Sequence, residues 1–483
     1  MSACKILTLE SHVVDILGST KGRDQPIMLV GKALELATCI SESAFLDQNT
    51  VILDPFCKAG EILLVSALRS CVVAKGRSKP LVSSHEVSEE IYGGRYFALA
   101  PDERHYLLSL RTFYGNERSH DKGFARHIRN GNYLSEVDGK LRENKFEEEL
   151  KAMIGFIRKT KPGCRIVAVG NPPYQEADGG AQASAKPIYN FFVEQLIDYG
   201  EIDELAVVIP ARWFSGGKNL SSFREKIAKS GQIKALQYFE RAEDVFPTVH
   251  VQGGVCFLNW KASHRGQTQF FYKNSKYQID LSRFDIIPDD PEATPIMEKL
   301  MRSKVKQSVA DFAWSRKPFG LPTNYFKNNP EVSSTHHEAI KCYVKGKKIK
   351  YVRRPIITVN NDKIDKWKVA IPRAYATGAR RCTLPKHQIF LVNKGEITTE
   401  TYNIVNCFDS KAEAERFVRY LQTDFVRYLL GLRKLTQDIP KDRWSWVPCM
   451  NTGQEWADEQ LFNFFKLTQK EREHIKKKVQ EWS

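Results

Sequence analysis

The chain has 483 residues, 42% of them hydrophobic and 27% charged, and a formal net charge of +16; that length suits about two or three domains. The composition excludes a disordered or collagen-like chain, and no run approaches the ~18–20 apolar residues of a membrane span. The ten cysteines form no Cys-x-x-Cys pair, so disulfides and a metal site are not expected; the basic excess favours a polyanionic partner, most simply nucleic acid.

Taken in chain order, "PIMLVGKALELATCI" has helical spacing, and "TVILDPF" is a short strand ending at Asp54-Pro55. "EILLVSALRSCVV" predicts a helix opened by Gly60, and "RYFALA" a strand. "RIVAVGN" is a buried strand stopped at Asn171-Pro172-Pro173-Tyr174, followed by the helix "PIYNFFVEQLIDYG" and the strand "ELAVVIP". "NLSSFREKIAKSG" reads as a helix, and "IKALQYF" and "GGVCFLNW" as late strands. Apolar strands separated by helices predict an α/β domain around a mostly parallel sheet. Near Tyr277 the pattern changes to Pro and Asp punctuation, so one domain is expected over 1–276 and a mixed α+β domain over 277–483. There "KCYVKGKKIKYVRRP" reads as a strand-like run, "AERFVRYLQTDFVRYLLGLRK" as one amphipathic helix, and "WADEQLFNFFKLTQKEREHIKKKV" as a closing packing element.

Two strand ends carry chemistry. Asp54 and Gly60 flank a strand–turn–helix, where a glycine permits close approach of a cofactor and a carboxylate can take a ribose hydroxyl or an ammonium. An ordinary turn can also carry Asp and Gly. At Asn171, two prolines remove two donors and fix the backbone, which plain turn chemistry explains as well. The same corner offers the Asn171 side-chain oxygen and the Pro172 carbonyl as acceptors for an exocyclic amine, and the Tyr174 ring for stacking on a base.

These motifs resemble, in order, the gamma-class amino-DNA methyltransferases, the TaqI-like N6-adenine enzymes of restriction-modification type. The resemblance covers roughly residues 20–270. It implies a Rossmann-like class I domain using S-adenosylmethionine over 1–276 and a DNA target-recognition domain over 277–483. "NPPY" matches the family's catalytic tetrapeptide fully, so Asn171, Pro172, Pro173 and Tyr174 are the implied catalytic residues. The implied cofactor residues are Gln25 and Pro26 near the methionine end, Asp54, Pro55 and Gly60 in the loop, Asn132 at the cofactor adenine, and Asn171. Phe246 is either a second wall for the flipped base or a core residue. Lys58 stands where the loop has a glycine. The acidic residue expected at the end of the second strand is missing: Ala98 and Ala100 hold the nearest positions, with Asp102 and Glu86 as substitutes. "QEADGGAQASAK" is read as a lid or a plain surface loop.

In the second domain, Lys345, Lys347, Lys348, Lys350, Arg353 and Arg354 offer a positive face to phosphates, or a solvated edge strand. The expected function is site-specific DNA adenine-N6 methylation of double-stranded DNA. A separate restriction endonuclease is allowed as a partner, no membrane is expected, and the place is the cytoplasm of a prokaryote or a phage host. The alternatives are an N-methyltransferase of RNA or protein glutamine, and a decayed scaffold that only binds DNA.

Overall fold

A computed structural model of the chain describes residues 28, 30–76, 83–118, 126–135, 140–176, 186–216, 220–247, 251, 253–375, 383–434 and 437–483. It divides into two compact units, Met1–Ile287 and Pro288–Ser483.

In the first unit the strands are β1 Thr50–Asp54, β2 Tyr96–Ala100, β3 Ile128–Asn130, β4 Arg165–Gly170, β5 Glu204–Pro210, β6 Ile233–Phe239, β7 Val255–Lys261, β8 Thr268–Tyr272 and β9 Ser275–Ile279. The helices are α1 Val30–Thr38, α2 Glu42–Leu46, α3 Glu61–Ala74, α4 Ser84–Tyr92, α5 Glu103–Arg118, α6 Glu143–Thr160, α7 Tyr189–Asp198 and α8 Leu220–Lys229. One sheet holds all nine strands in the order β3-β2-β1-β4-β5-β7-β6-β8-β9. The first five in that order pair in parallel, and β7 lies antiparallel between β5 and β6. This is the α/β architecture expected, with a parallel-dominated sheet.

Side chains alternate across the sheet because the strand period is two. Ile52, Ala98, Val167, Val169, Ala206 and Val208 face one way and share a core with Leu36, Phe45, Ile62 and Leu63 of α1–α3. On the other face Phe97 meets Phe156 of α6 edge-on at 6.1 Å. Burial on both faces is why these strands read as continuous apolar runs. At the amino end of β5, the fully buried Glu204 accepts from Arg165 at 2.6 Å, from the backbone and hydroxyl of Ser41 at 3.0 Å, and from Asn259 at 3.2 Å. One carboxylate thus ties β4, β5, β7 and the start of α2.

From β1 the chain moves outward through β2 to β3, then returns to place β4 on the other side of β1. Such a reversal opens a crevice beyond the carboxyl ends of the two strands, where ligands bind in open α/β sheets. The boundary expected at Tyr277 falls inside β9, where Tyr277 pairs with Phe270 of β8. That hairpin extends the sheet, so the unit continues to Ile287.

Among the described residues, the second unit has two three-stranded sheets. One runs β11-β10-β14, built from β10 Ala339–Val344, β11 Lys348–Arg353 and β14 Ile397–Thr398; the other runs β13-β12-β15, from β12 Trp367–Pro372, β13 Phe390–Val392 and β15 Tyr402–Phe408. Its longer helices are α9 Ala293–Arg302, α10 Lys411–Leu421, α11 Asp424–Arg433, α12 Asp458–Phe464 and α13 Gln469–Glu481. Two expectations change here. The basic run is not one strand but the β10–β11 hairpin, because Gly346 turns the chain with φ 76°. The expected single helix is α10 and α11, since the first is capped at Gln422 and Thr423 caps the next by accepting from the Val426 amide at 3.3 Å.

Candidate active site

Asp54 is the last residue of β1 and Asn171 the first after β4, and the two strands are hydrogen-bonded neighbours, with Leu53 opposite Ala168. Both side chains are buried, each 2% exposed. Their closeness is set by Gly170: a Cβ there would lie 2.8 Å from Asp54 Oδ1 and 2.8 Å from the Phe56 ring. The glycine before the tetrapeptide therefore lets the two motif ends meet, a role the sequence reading did not assign. Its signal was its position, directly ahead of Asn-Pro-Pro-Tyr.

Asp54 Oδ1 accepts from the Phe56 amide at 3.0 Å. Burial pushes its carboxyl up to about 8; the Phe56 amide bond opposes this, Glu61 adds to it and Lys58 opposes it. Lys58 is 5% exposed and acts electrostatically on both Asp54 and Glu61. Glu61, in the first turn of α3, is raised by burial, with Lys58 and His105 pulling the other way. A lysine is tolerated at position 58 because its backbone is not left-handed; Gly60 takes that conformation, φ 82°. A side chain at Gly60 would also press on the Ser109 carbonyl of α5 at 3.1 Å. The loop is thus a tight turn with one buried cation and two buried carboxyls.

Tyr133, fully buried, donates its hydroxyl to the Pro55 carbonyl at 3.0 Å and so ties the loop after β3 to the loop after β1. The neighbouring Asn132 is exposed and left-handed, φ 43°, and its side-chain oxygen accepts from Arg142 at 3.1 Å. At the end of β2, Ala98 and Ala100 are fully buried and have no side-chain acceptor. Of the two substitutes, Asp102 stands just past β2 and binds His105 through the ring at 2.7 Å and the amide at 2.9 Å. Glu86 is committed elsewhere, accepting from the Ser83 amide at 2.8 Å and pairing with Lys75.

Beyond Asn171, Pro172 and Pro173 are buried and Tyr174 is half-buried. The Tyr174 hydroxyl is enclosed with no hydrogen-bond partner among the described residues, and burial holds its phenol well above the ordinary value. Phe246 is fully buried and faces the Tyr174 ring edge-on, centroids 6.2 Å apart and planes at 76°. It is both a core residue and a neighbour of the Asn171–Tyr174 corner. Gln25, Pro26 and residues 177–185 of the expected lid, which runs from Gln175 to Lys186, lie outside the described residues. Among the described residues no group of three His, Cys, Asp or Glu could hold a metal, and no helix is long and apolar enough to cross a membrane.

The site residues fit S-adenosylmethionine. Its amino-acid end carries both charges, and the loop presents a buried ammonium beside two carboxyls; the left-handed Gly60 lets backbone come close.

Residues 95–246, which include Asn132, the tetrapeptide and Phe246, match the Eco57I restriction-modification methylase family. The chain is 31% identical over 150 residues to an uncharacterized adenine-specific methylase of Mycoplasma pneumoniae (strain ATCC 29342 / M129 / Subtype 1), a stretch covering 30% of this chain and 34% of that protein. The chain therefore spans about a third of the length of the curated relative it matches. Among solved structures it is similar to a nuclease-deletion mutant of the Type ISP restriction-modification enzyme LlaGI in complex with a DNA substrate mimic (9% identity, 95% of this chain, 47% of that chain, TM-score 0.44). It is also similar to the Type IIL restriction-modification enzyme MmeI in complex with DNA (11% identity, 92% of this chain, 66% of that chain, TM-score 0.41).

Proposed function

We propose that the protein is a site-specific DNA methyltransferase that modifies N6 of an adenine flipped out of double-stranded DNA. The observation that carries this reading is the intact Asn171-Pro172-Pro173-Tyr174 corner beside Asp54, at the reversal point of the sheet. The cofactor S-adenosylmethionine supplies an electrophilic methyl group. The residues do the rest. An adenine N6 is a poor nucleophile because its lone pair is spread into the ring. The Asn171 oxygen and the Pro172 carbonyl accept its two hydrogens and so favour a tetrahedral, nucleophilic nitrogen. The buried prolines hold both acceptors in place before reaction, and Tyr174 stacks on the extruded base.

Asp54, Lys58, Gly60 and Glu61 hold the cofactor's charged end, with Asn132 and Asp102 at its nucleoside end. Pro55 positions the loop through Tyr133, and Phe246 backs the Tyr174 wall. Gln25 and Pro26 keep their assignment from the resemblance. The region after the catalytic unit serves target recognition. In a restriction-modification setting the enzyme works in the cytoplasm, and a separate endonuclease cuts unmodified sites. Asn171→Ala tests the assignment: methylation is expected to disappear while DNA affinity is largely retained. Turnover at the wild-type rate would overturn it.

A further inference from the structure

Seven lysines and arginines lie between Lys341 and Arg354, yet they are not equivalent. Lys341 pairs with Glu396 at 3.7 Å, Lys350 with Glu331 at 3.7 Å, Arg353 with Glu338 at 2.6 Å, and Arg354 with Asp365 at 3.0 Å. These four flank the hairpin and are neutralised by carboxylates of their own unit. The three at the turn differ. Lys347 donates to the His387 carbonyl at 2.7 Å and lies 4.6 Å over the Phe390 ring, which fixes its place, and no carboxylate pairs with it among the described residues. Lys345 and Lys348 are exposed, and neither has a carboxylate partner among the described residues.

The turn that carries these three is built to hold one shape. Gly346 is left-handed at φ 76°, and Lys347, with a side chain, is left-handed too, at φ 57°. That conformation is uncommon for a residue other than glycine, and it persists where surroundings over-determine it. Here the determinant is Tyr402, 3% exposed, whose hydroxyl accepts from the Lys347 amide at 2.7 Å and donates to the Val344 carbonyl at 3.2 Å. A buried phenol thus pins both ends of a turn whose residues 345–349 are all exposed.

We infer that the tip of the β10–β11 hairpin is the phosphate-gripping element of the second unit, with Lys345, Lys347 and Lys348 as its contacts and Tyr402 as a positioning residue. This rests on the reading of the protein as a DNA methyltransferase. The partner is a B-form duplex, whose major groove is about 12 Å wide and admits a two-stranded ribbon. The flanking four cations stabilise the hairpin and contribute little to the salt dependence of binding.

The test is the salt dependence of DNA affinity of the full chain, by fluorescence anisotropy on a duplex. Each phosphate contact adds about 0.9 to the slope of log affinity against log salt. Lys345→Gln with Lys348→Gln should lower that slope by about 2, so that between about 50 and 200 mM salt the wild type loses roughly 12-fold more affinity than the variant. Tyr402→Phe leaves every charge and removes the brace. It should weaken binding about fivefold, the worth of one typical hydrogen bond, with the slope unchanged. An unchanged slope in the double glutamine variant, with wild-type binding intact, would overturn the inference and leave the DNA reading standing. Equal affinity and slope on an A-form RNA duplex would overturn the groove assignment. Absence of DNA binding by the wild type would overturn both.

Discussion

Gly170→Ala is the sharpest perturbation of the site, because it tests the contact between the two motif ends without replacing a charged residue. The new Cβ would meet Asp54 Oδ1 and the Phe56 ring, each at 2.8 Å, where ordinary contact begins near 3.4 Å. Either neighbour must retreat by about 0.6 Å, roughly the scale of core overpacking. Neither is free to do so: Asp54 is held by the Phe56 amide at 3.0 Å, and the Phe56 ring is wedged against Phe192 at 5.2 Å and Phe146 at 6.0 Å. Overpacking of this kind costs about 1–3 kcal/mol, or roughly 2–12 °C in Tm at about 2–4 °C per kcal/mol. Because the displaced group is Asp54, affinity for S-adenosylmethionine should fall as well, by about 5- to 150-fold if the same strain is imposed on the bound state. Gly155→Ala is the matched control. It lies exposed within α6, with nothing within 4 Å of its added Cβ, and should stabilise by about 0.5–1 kcal/mol. The assays are denaturant unfolding and titration calorimetry with the cofactor. A Gly170→Ala protein that matches the wild type in both would refute the close approach of β1 and β4.

Other expectations follow from buried charges. Asp54 is pushed up to about 8 in the folded chain, against about 3.9 when unfolded. A raised carboxyl favours folding fully below the unfolded value, and that contribution is lost as pH rises through the folded one. Stability of Asp54→Asn should therefore vary less than wild type between about pH 4 and pH 8, and parallel curves by urea unfolding would contradict the burial. Glu204 has the opposite sign. Burial works to raise its carboxyl, but Lys234, Ser41 and Asn259 together hold it low. Its contribution is present above about 4.3 and is lost as pH falls through the folded value. Glu204→Gln leaves Arg165 and Lys234 without their carboxylate. It should cost about 3 kcal/mol at neutral pH, the low end for a broken buried pair because both cations reach solvent. A loss under about 0.5 kcal/mol, the level of a surface change, would show that the network is not structural.

The parallel half of the first sheet was legible because β1, β2, β4 and β5 are buried on both faces and read as continuous apolar runs. The β8–β9 hairpin was not, because β9 is mostly exposed and polar. The basic run looked like one strand since alternating cations mimic an edge strand, and Gly346 alone breaks it. In the site, Asn171-Pro172-Pro173-Tyr174 and Asp54 could be recognised as strand ends. Their adjacency could not, because it depends on the return of β4 to the side of β1. Lys58 looked like an intrusion in a glycine loop. The fold shows why it fits: the left-handed position is Gly60, and Lys58 lies within electrostatic reach of the buried Asp54 and Glu61 carboxyls.

The central claim is tested most directly by incubating the full chain with duplex DNA of diverse sequence and S-adenosylmethionine, then locating methyl groups by mass spectrometry of nucleosides and by single-molecule sequencing. N6-methyladenine within one fixed sequence context is the predicted result. Methyl groups found only on RNA or protein glutamine, or none on any acceptor, would contradict it.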